Sequence, residues 1–294
     1  MAGSVENAAL VALLRRGKRP WQQYADLVEE TGSAMSVLED ELAADSGAPT
    51  LFGGEQRPEL EDAASQIAAW DAGGMRMVTV LDPDYPPNLR AVHDRPPLVF
   101  VAGRLAPGDA RSVAVVGARS ASERGTAAAT AIAEQLVETG YTVVSGLAAG
   151  IDTAAHSAAL AAKGRTVAVI GTGLRRVYPP QNAALQRRIA TDFAVISQFW
   201  PDAPPSRRSF PMRNAVMSGF ALATVVVEAS QSSGSRMQAR LALEHGRPVL
   251  LLQSLLAHEW AREFAGRPGA HVVGSAAEVT AVVERLTSTG TLVA

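Results

Sequence analysis

Between residues 112 and 252 the chain repeats one pattern six times: a short run of β-branched and small apolar residues, then an Ala-rich stretch. The runs lie at 112–117, 141–145, 166–171, 193–197, 223–228 and 248–252. They are apolar almost without interruption, which suits strands buried on both faces. The stretches between them have helical spacing. A strand–helix–strand series of this kind closes as a mainly parallel sheet covered by helices on both faces. The fold class is therefore α/β.

The front of the chain differs. Apolar residues recur at helical spacing over 5–15, 21–31 and 36–44. Residues 45–58, rich in Gly and Pro, read as a linker. The expected division is a small helical domain with its linker over 1–65, of helix-hairpin-helix or sterile-alpha type, and an α/β domain over 66–294. Within the second, a helix is expected near 60–71, a strand near 76–81, a Pro-rich lead-in from 82 to 103, and helices over 254–266 and 276–286. Charge follows the same division. Residues 1–100 hold 8 Lys/Arg against 16 Asp/Glu, and residues 101–294 hold 19 against 13. A basic rear favours an anionic partner.

Several function classes are disfavoured. No apolar run approaches the roughly 20 residues that span a bilayer. The apolar stretch 8–14 is preceded by Glu6 and followed by basic residues 15–19, the reverse of a signal peptide. The chain reads as cytoplasmic. With no cysteine there is no disulfide framework and no thiolate nucleophile. No Gly-Lys-Ser/Thr occurs, so a phosphate loop of the NTPase kind is absent, and so is the strict G-x-G-x-x-G dinucleotide fingerprint. The histidines show no metal-ligand spacing. No metal and no cofactor are expected.

The chemistry concentrates where strands end. Gly117-Ala118-Arg119-Ser120, Ser145-Gly146-Leu147-Ala148, Gly171-Thr172-Gly173 and Glu228-Ala229-Ser230 through Ser233-Gly234-Ser235 are Gly- or Ser-rich turns entering helices. Such turns leave backbone N–H groups free for phosphate at the sheet's carboxyl edge. Arg119, Arg165 and Arg213 supply guanidinium forks suited to phosphate. Phe210, beside Arg213 and Asn214, is placed to stack a base, although core packing accounts equally well for a phenylalanine there. Asp152 and His156, four apart on one helix, could pair with each other, but no nucleophile accompanies them. Glu228 suits either a ribose hydroxyl or a cap on the helix that follows it. The arginine pairs 175–176, 187–188 and 207–208 read as a solvated basic rim.

These segments also resemble a known family in order and spacing. SVAVVGAR (112–119), VSGLAAGIDTAAH (144–156), GRTVAVIGTG (164–173), Tyr178-Pro179, FPMRN (210–214), VEASQSSGS (227–235) and GRPV (246–249) are similar to the signature of the DNA-processing protein A (DprA/Smf) family. The resemblance runs from about residue 76 to 275. It implies a Rossmann-like domain that forms a homodimer, binds and protects single-stranded DNA and assists loading of the RecA recombinase in natural transformation. That is a binding protein, not an enzyme. Carried over by position, the DNA site comprises Gly117, Arg119, Ser145, Gly146, Arg165, Phe210, Arg213 and Asn214, and the Ser-rich turn adds Ser233, Gly234 and Ser235. The chain departs from the family pattern at Gln198, Ala215, Arg236 and Gln253, and the winged-helix module of many members is not expected. The alternative is a nucleotide-binding or nucleotide-processing protein, a phosphoribohydrolase-like enzyme or a nucleotide sensor. Its hallmark Pro-Gly-Gly-x-Gly-Thr turn is missing.

Overall fold

The computed structural model describes residues 2–46, 58–230 and 233–288. Most of the expected linker lies outside them. Four helices come first: α1 (Ala2–Arg16), α2 (Trp21–Thr31), α3 (Ala34–Ser46) and α4 (Pro58–Ala72). Then follow β1 (Met75–Thr79), the short α5 (Pro87–Arg90), β2 (Leu98–Gly103), β3 (Ser112–Val116), α6 (Glu123–Glu138), β4 (Thr142–Ser145), α7 (Ile151–Ala161) and β5 (Thr166–Val169). The chain continues through α8 (Ala183–Asp192), β6 (Ala194–Ser197), α9 (Ser209–Phe220), β7 (Ala223–Val226), α10 (Gly234–Glu244) and β8 (Val249–Leu252). It closes with α11 (Glu259–Ala265), β9 (Ala270–Val273) and α12 (Ala276–Ser288).

The strands form one nine-stranded sheet ordered β1-β2-β6-β5-β4-β3-β7-β8-β9. From β6 to β9 every pairing is parallel; β2 runs antiparallel to both β1 and β6. The mainly parallel α/β sheet is thus as expected. Its order radiates outward from β3, as in Rossmann-like folds. The sequence reading missed two strands: β2, beside the edge strand β1, was absorbed into the Pro-rich lead-in, and the half-exposed edge strand β9 carries only four residues.

Alternation along the strands explains the apolar runs. Val113 and Val115 of β3 join the cluster under α6, α7 and α12, while Ala114 and Val116 face the opposite layer with Val226 and Leu251. Both faces are covered, so neither set tolerates polar residues. The helix expected over 254–266 is instead two pieces. A 3-10 turn (Gln253–Ala257) and α11 are separated by His258, whose extended backbone (φ −95°, ψ 136°) cannot continue a helix. Arg262 reaches back to the carbonyls of Leu256 and Ala257 and satisfies the ends this break exposes.

The N-terminal helices share one core cluster with the sheet. Trp70 of α4 stacks on Trp200, which follows β6, with centroids 5.7 Å apart, and meets Phe100 of β2 edge-on at 5.0 Å. Trp21 of α2 reaches Trp200 at 5.4 Å. Ion pairs reinforce the seam: Glu29 receives Arg90 at 2.5 Å and also Arg95, and Asp26 receives Arg95 at 2.9 Å. Trp70 is 4% exposed. Trp70→Ala should therefore cost about 3–5 kcal/mol of unfolding free energy in a denaturant titration. A loss below about 1 kcal/mol would mean that the seam does not join the two parts.

Candidate functional site

The chain leaves β3 toward β4, β5 and β6 on one side, and reaches β7, β8 and β9 on the other. This reversal opens a crevice at the carboxyl ends of the strands, where α/β sheets bind ligands. It holds a cavity of about 740 Å³ lined by Gly117, Arg119, Asp152, Phe210, Arg213 and Asn214, facing Glu228, Ser233, Gly234, Ser235 and His258. A second cavity of about 460 Å³ lies over the ends of β4 and β5, against Gly146, Gly171, Tyr178 and Gln181. Arg119, Ala148, Phe210 and Arg213 line both. They form a partition that an extended ligand would cross.

Arg213 projects from the first turns of α9 and is buried. Its Nη1 is 3.8 Å from Asp152 Oδ2 and 3.9 Å from Met217 sulfur, and its Nε has no hydrogen-bond partner. Burial works against both charges. It raises the Asp152 carboxyl and lowers the Arg213 guanidinium, and each is the other's chief opposing influence. Asp152 also accepts from the N–H groups of Gly146 (3.1 Å) and Ala148 (3.3 Å). The result is a buried guanidinium with unused donor capacity on the wall of two cavities. An anion is its natural complement.

The aromatic part is continuous with it. Arg119 lies over the Phe210 ring, 5.0 Å from its centroid, and Tyr178 packs on the other ring neighbour at 5.5 Å. Tyr178 is 39% exposed and was not among the residues assigned from sequence. The signal was present in its Tyr-Pro pair, but only the fold brings it against Phe210.

Two glycines are required by geometry. At Gly146 a Cβ would overlap the Arg213 guanidinium. Gly150 has φ 77°, and a Cβ there would strike the carbonyls of Ala118 and Arg119. Between them, Leu147 adopts φ 55° and is held there by Asn182, whose amide donates to the Leu147 carbonyl at 2.8 Å.

The remaining residues expected at the site divide. Gly117 ends β3 on the cavity floor. Ser145 is fully buried and its hydroxyl donates to the Val115 carbonyl at 2.7 Å, so it ties β4 to β3. Asn214 donates to the Gly234 carbonyl (3.3 Å), and Ser233 caps α10 by accepting from Ser235 N–H at 3.2 Å. Residues 231 and 232 of that turn lie outside the described residues. Arg165 is not brought to the crevice. It precedes its strand, at the amino edge, and grips Asp109 with Nε at 2.5 Å and Nη2 at 2.7 Å.

Two alternatives from the sequence resolve. Glu228 accepts from Ser122 Oγ at 2.6 Å and from Ser122 N–H at 3.2 Å, so it braces the N-cap of α6 and not the helix that follows it, which Ser233 caps. His156 does not pair with Asp152. Its Nδ1 is 2.7 Å from Thr166 Oγ1, whose own proton goes to the Val143 carbonyl at 2.8 Å. Burial holds this imidazole neutral, with its pKa pushed down to about 3.

A family model described as DNA recombination-mediator protein A matches residues 76–288. The Smf protein of Synechocystis is 40% identical over 181 residues, which cover 60% of this chain and 46% of that protein. Against four curated relatives, the matched stretch spans between 45% and 64% of the relative's length. The X-ray structure of DNA processing protein A from Streptococcus pneumoniae superposes with a TM-score of 0.66 at 33% identity, covering 83% of this chain and 91% of that one. DNA processing protein A from Helicobacter pylori, a structure solved to describe its single-stranded DNA binding mode, shares the fold. Its TM-score is 0.63 at 22% identity, covering 73% of this chain and 96% of that one. Among the described residues no helix is long and apolar enough to cross a membrane.

His156 makes stability depend on pH. The unfolded chain takes up a proton below its ordinary pKa of 6.5, whereas the folded chain does not until about 3. Stability from this group is complete above pH 6.5. Below that it falls by about 1.4 kcal/mol per pH unit as the pH drops toward 3. Denaturant titrations at pH 6.5 and 5 should show this slope in the wild type and lose it in His156→Gln. Equal slopes would place the imidazole in a solvated, protonatable environment.

Proposed function

Since the chain belongs to the DNA recombination-mediator protein A family, we propose that it binds single-stranded DNA along the carboxyl edge of its sheet. In this reading it acts as a homodimer in the cytoplasm, protects the strand and passes it to RecA during DNA uptake or recombination. In the same reading, the small helical domain expected over 1–65 is accessory to the binding domain expected over 66–294. The observation that carries the reading is the partition between the two cavities. Arg213 offers a buried, under-used guanidinium, and Arg119, Phe210 and Tyr178 form a cation–aromatic stack beside it. Phosphate recognition next to base stacking is how proteins hold single strands without reading sequence.

The groove between two joined cavities suits a strand better than a single nucleotide, which one cavity would hold. The exposed arginines 187, 207 and 208 add sequence-independent, salt-sensitive attraction. A binding role rather than catalysis also fits His156, which is neutral and committed to Thr166. Arg165 has no part in this reading, because Asp109 occupies its fork.

Fluorescence anisotropy with labelled oligo-dT over a salt series tests it. Wild type should bind with a steep salt slope. Arg119→Ala should weaken binding about tenfold and lower the slope by about 0.7, the loss of one phosphate contact. Phe210→Ala should cost about 1–3 kcal/mol of affinity with the slope unchanged. No binding at about 50 mM salt would sink the proposal.

A further inference from the structure

At the amino edge of the sheet, away from the crevice, three side chains distant in sequence converge. His93 and Asp94 come from the loop between α5 and β2, and His245 caps the C-terminus of α10. One potential ligand atom from each lies within 4.8 Å of the others.

The His245 side chain is fully buried. Its Nδ1 is 2.9 Å from Ser218 Oγ, and the Ser218 proton is already donated to the Ala215 carbonyl at 3.0 Å. Ser218 therefore accepts from Nδ1–H, which leaves Nε2 to face Asp94. That Nε2 lies 2.7 Å from Asp94 Oδ1. The two atoms do not meet hydrogen-bond geometry, and both are buried without a hydrogen-bond partner. A carboxylate oxygen against an imidazole nitrogen needs a cation there, either a proton on the ring, as in an ion pair, or a metal ion in its place. The His93 ring stands edge-on to His245, with centroids 5.5 Å apart at 77°, and is exposed to solvent.

We propose that His93, Asp94 and His245 bind a divalent transition metal of the zinc type. Two imidazoles and a carboxylate are a donor set that zinc favours, with water completing the tetrahedron. Zinc bonds of about 2.0–2.1 Å space tetrahedral ligands about 3.3 Å apart, so binding needs the exposed His93 ring to swing inward and the His245–Asp94 contact to open from 2.7 Å. The hydrogen bond from His245 Nδ1–H to Ser218 is the outer contact that orients a metal-bound imidazole. The carbonyl end of α10 adds negative potential at the same place. The metal would clasp the loop carrying Arg95, and through Arg95 the α2 carboxylates Asp26 and Glu29, onto α10. The N-terminus of α10 borders the crevice, so the clasp would steady one wall of it.

The test uses the full chain without an affinity tag, stripped with a chelator and titrated with zinc sulfate against a chromophoric zinc indicator. Wild type should take up one zinc per chain and gain thermal stability on doing so. His93→Ala removes an exposed ligand, and His93→Gln serves should that variant misfold. Either should weaken zinc uptake by about 10- to 100-fold and abolish the thermal gain. Failure of the wild type to take zinc from the indicator would overturn the proposal. So would equal uptake by wild type and the His93 variants.

Discussion

Asp152 sits in the first turn of α7, beneath the crevice, accepting hydrogen bonds from the N–H groups of Gly146 and Ala148 and facing the Arg213 guanidinium at 3.8 Å. Three chain segments meet on this carboxylate: the turn after β4, the start of α7 and the start of α9. Asp152, Arg213 and the Gly146 N–H are buried, so leaving any of them unpaired would be costly. A carboxylate at a helix N-terminus gains from the helix dipole, which offsets part of the cost of burial. Arg213 depends on it more heavily still. Without Asp152 a cation would be buried with sulfur as its nearest neighbour. The turn from 146 to 150 is shaped around the same arrangement, with glycine where the guanidinium passes and glycine again where the chain crosses the Arg119 backbone.

The partition follows from that anchor. Because α9 is held by its buried arginine, Phe210 and Asn214 are held in place too. Phe210 supports Arg119 and Tyr178, and Asn214 reaches the Ser-rich turn. The crevice is thus a set of side chains fixed by one another, which spares a ligand much of the entropy of ordering them.

Part of the acidic front of the chain is engaged with basic residues of the same stretch. Glu41 is buried and receives Arg19 and the Tyr24 hydroxyl, each at 3.1 Å; Asp45 pairs with Arg16 and Lys18. Glu29 and Asp26 engage the lead-in to the sheet. These ion pairs hold the helices together and fasten them to the lead-in of the sheet, and because both partners lie within residues 1–100 they leave the acidic excess of that stretch in place. The aromatic seam at Trp200 does the apolar share of the same work.

The α/β class, the core strands and the turns at their carboxyl ends were legible because they rest on neighbours along the chain. Apolar continuity reports a strand covered on both faces, and a glycine after it reports a turn. Even the position of Arg165 was legible in principle, since it precedes its strand whereas the crevice residues follow theirs. Strand β9 was not, because a short half-exposed strand carries no unbroken apolar run, and β2 was hidden by the prolines that lead into it. Nor could residue order show that Glu228 caps α6 across 106 positions, that His156 turns to Thr166, or that Tyr178 completes the stack on Phe210. A side chain's partner is set by which segments meet across the sheet. By itself the sequence determined the layers and the sheet edge at which the Gly- and Ser-rich turns gather; the tertiary structure decided which arginine lines the crevice there, because charge and burial come from residues remote along the chain.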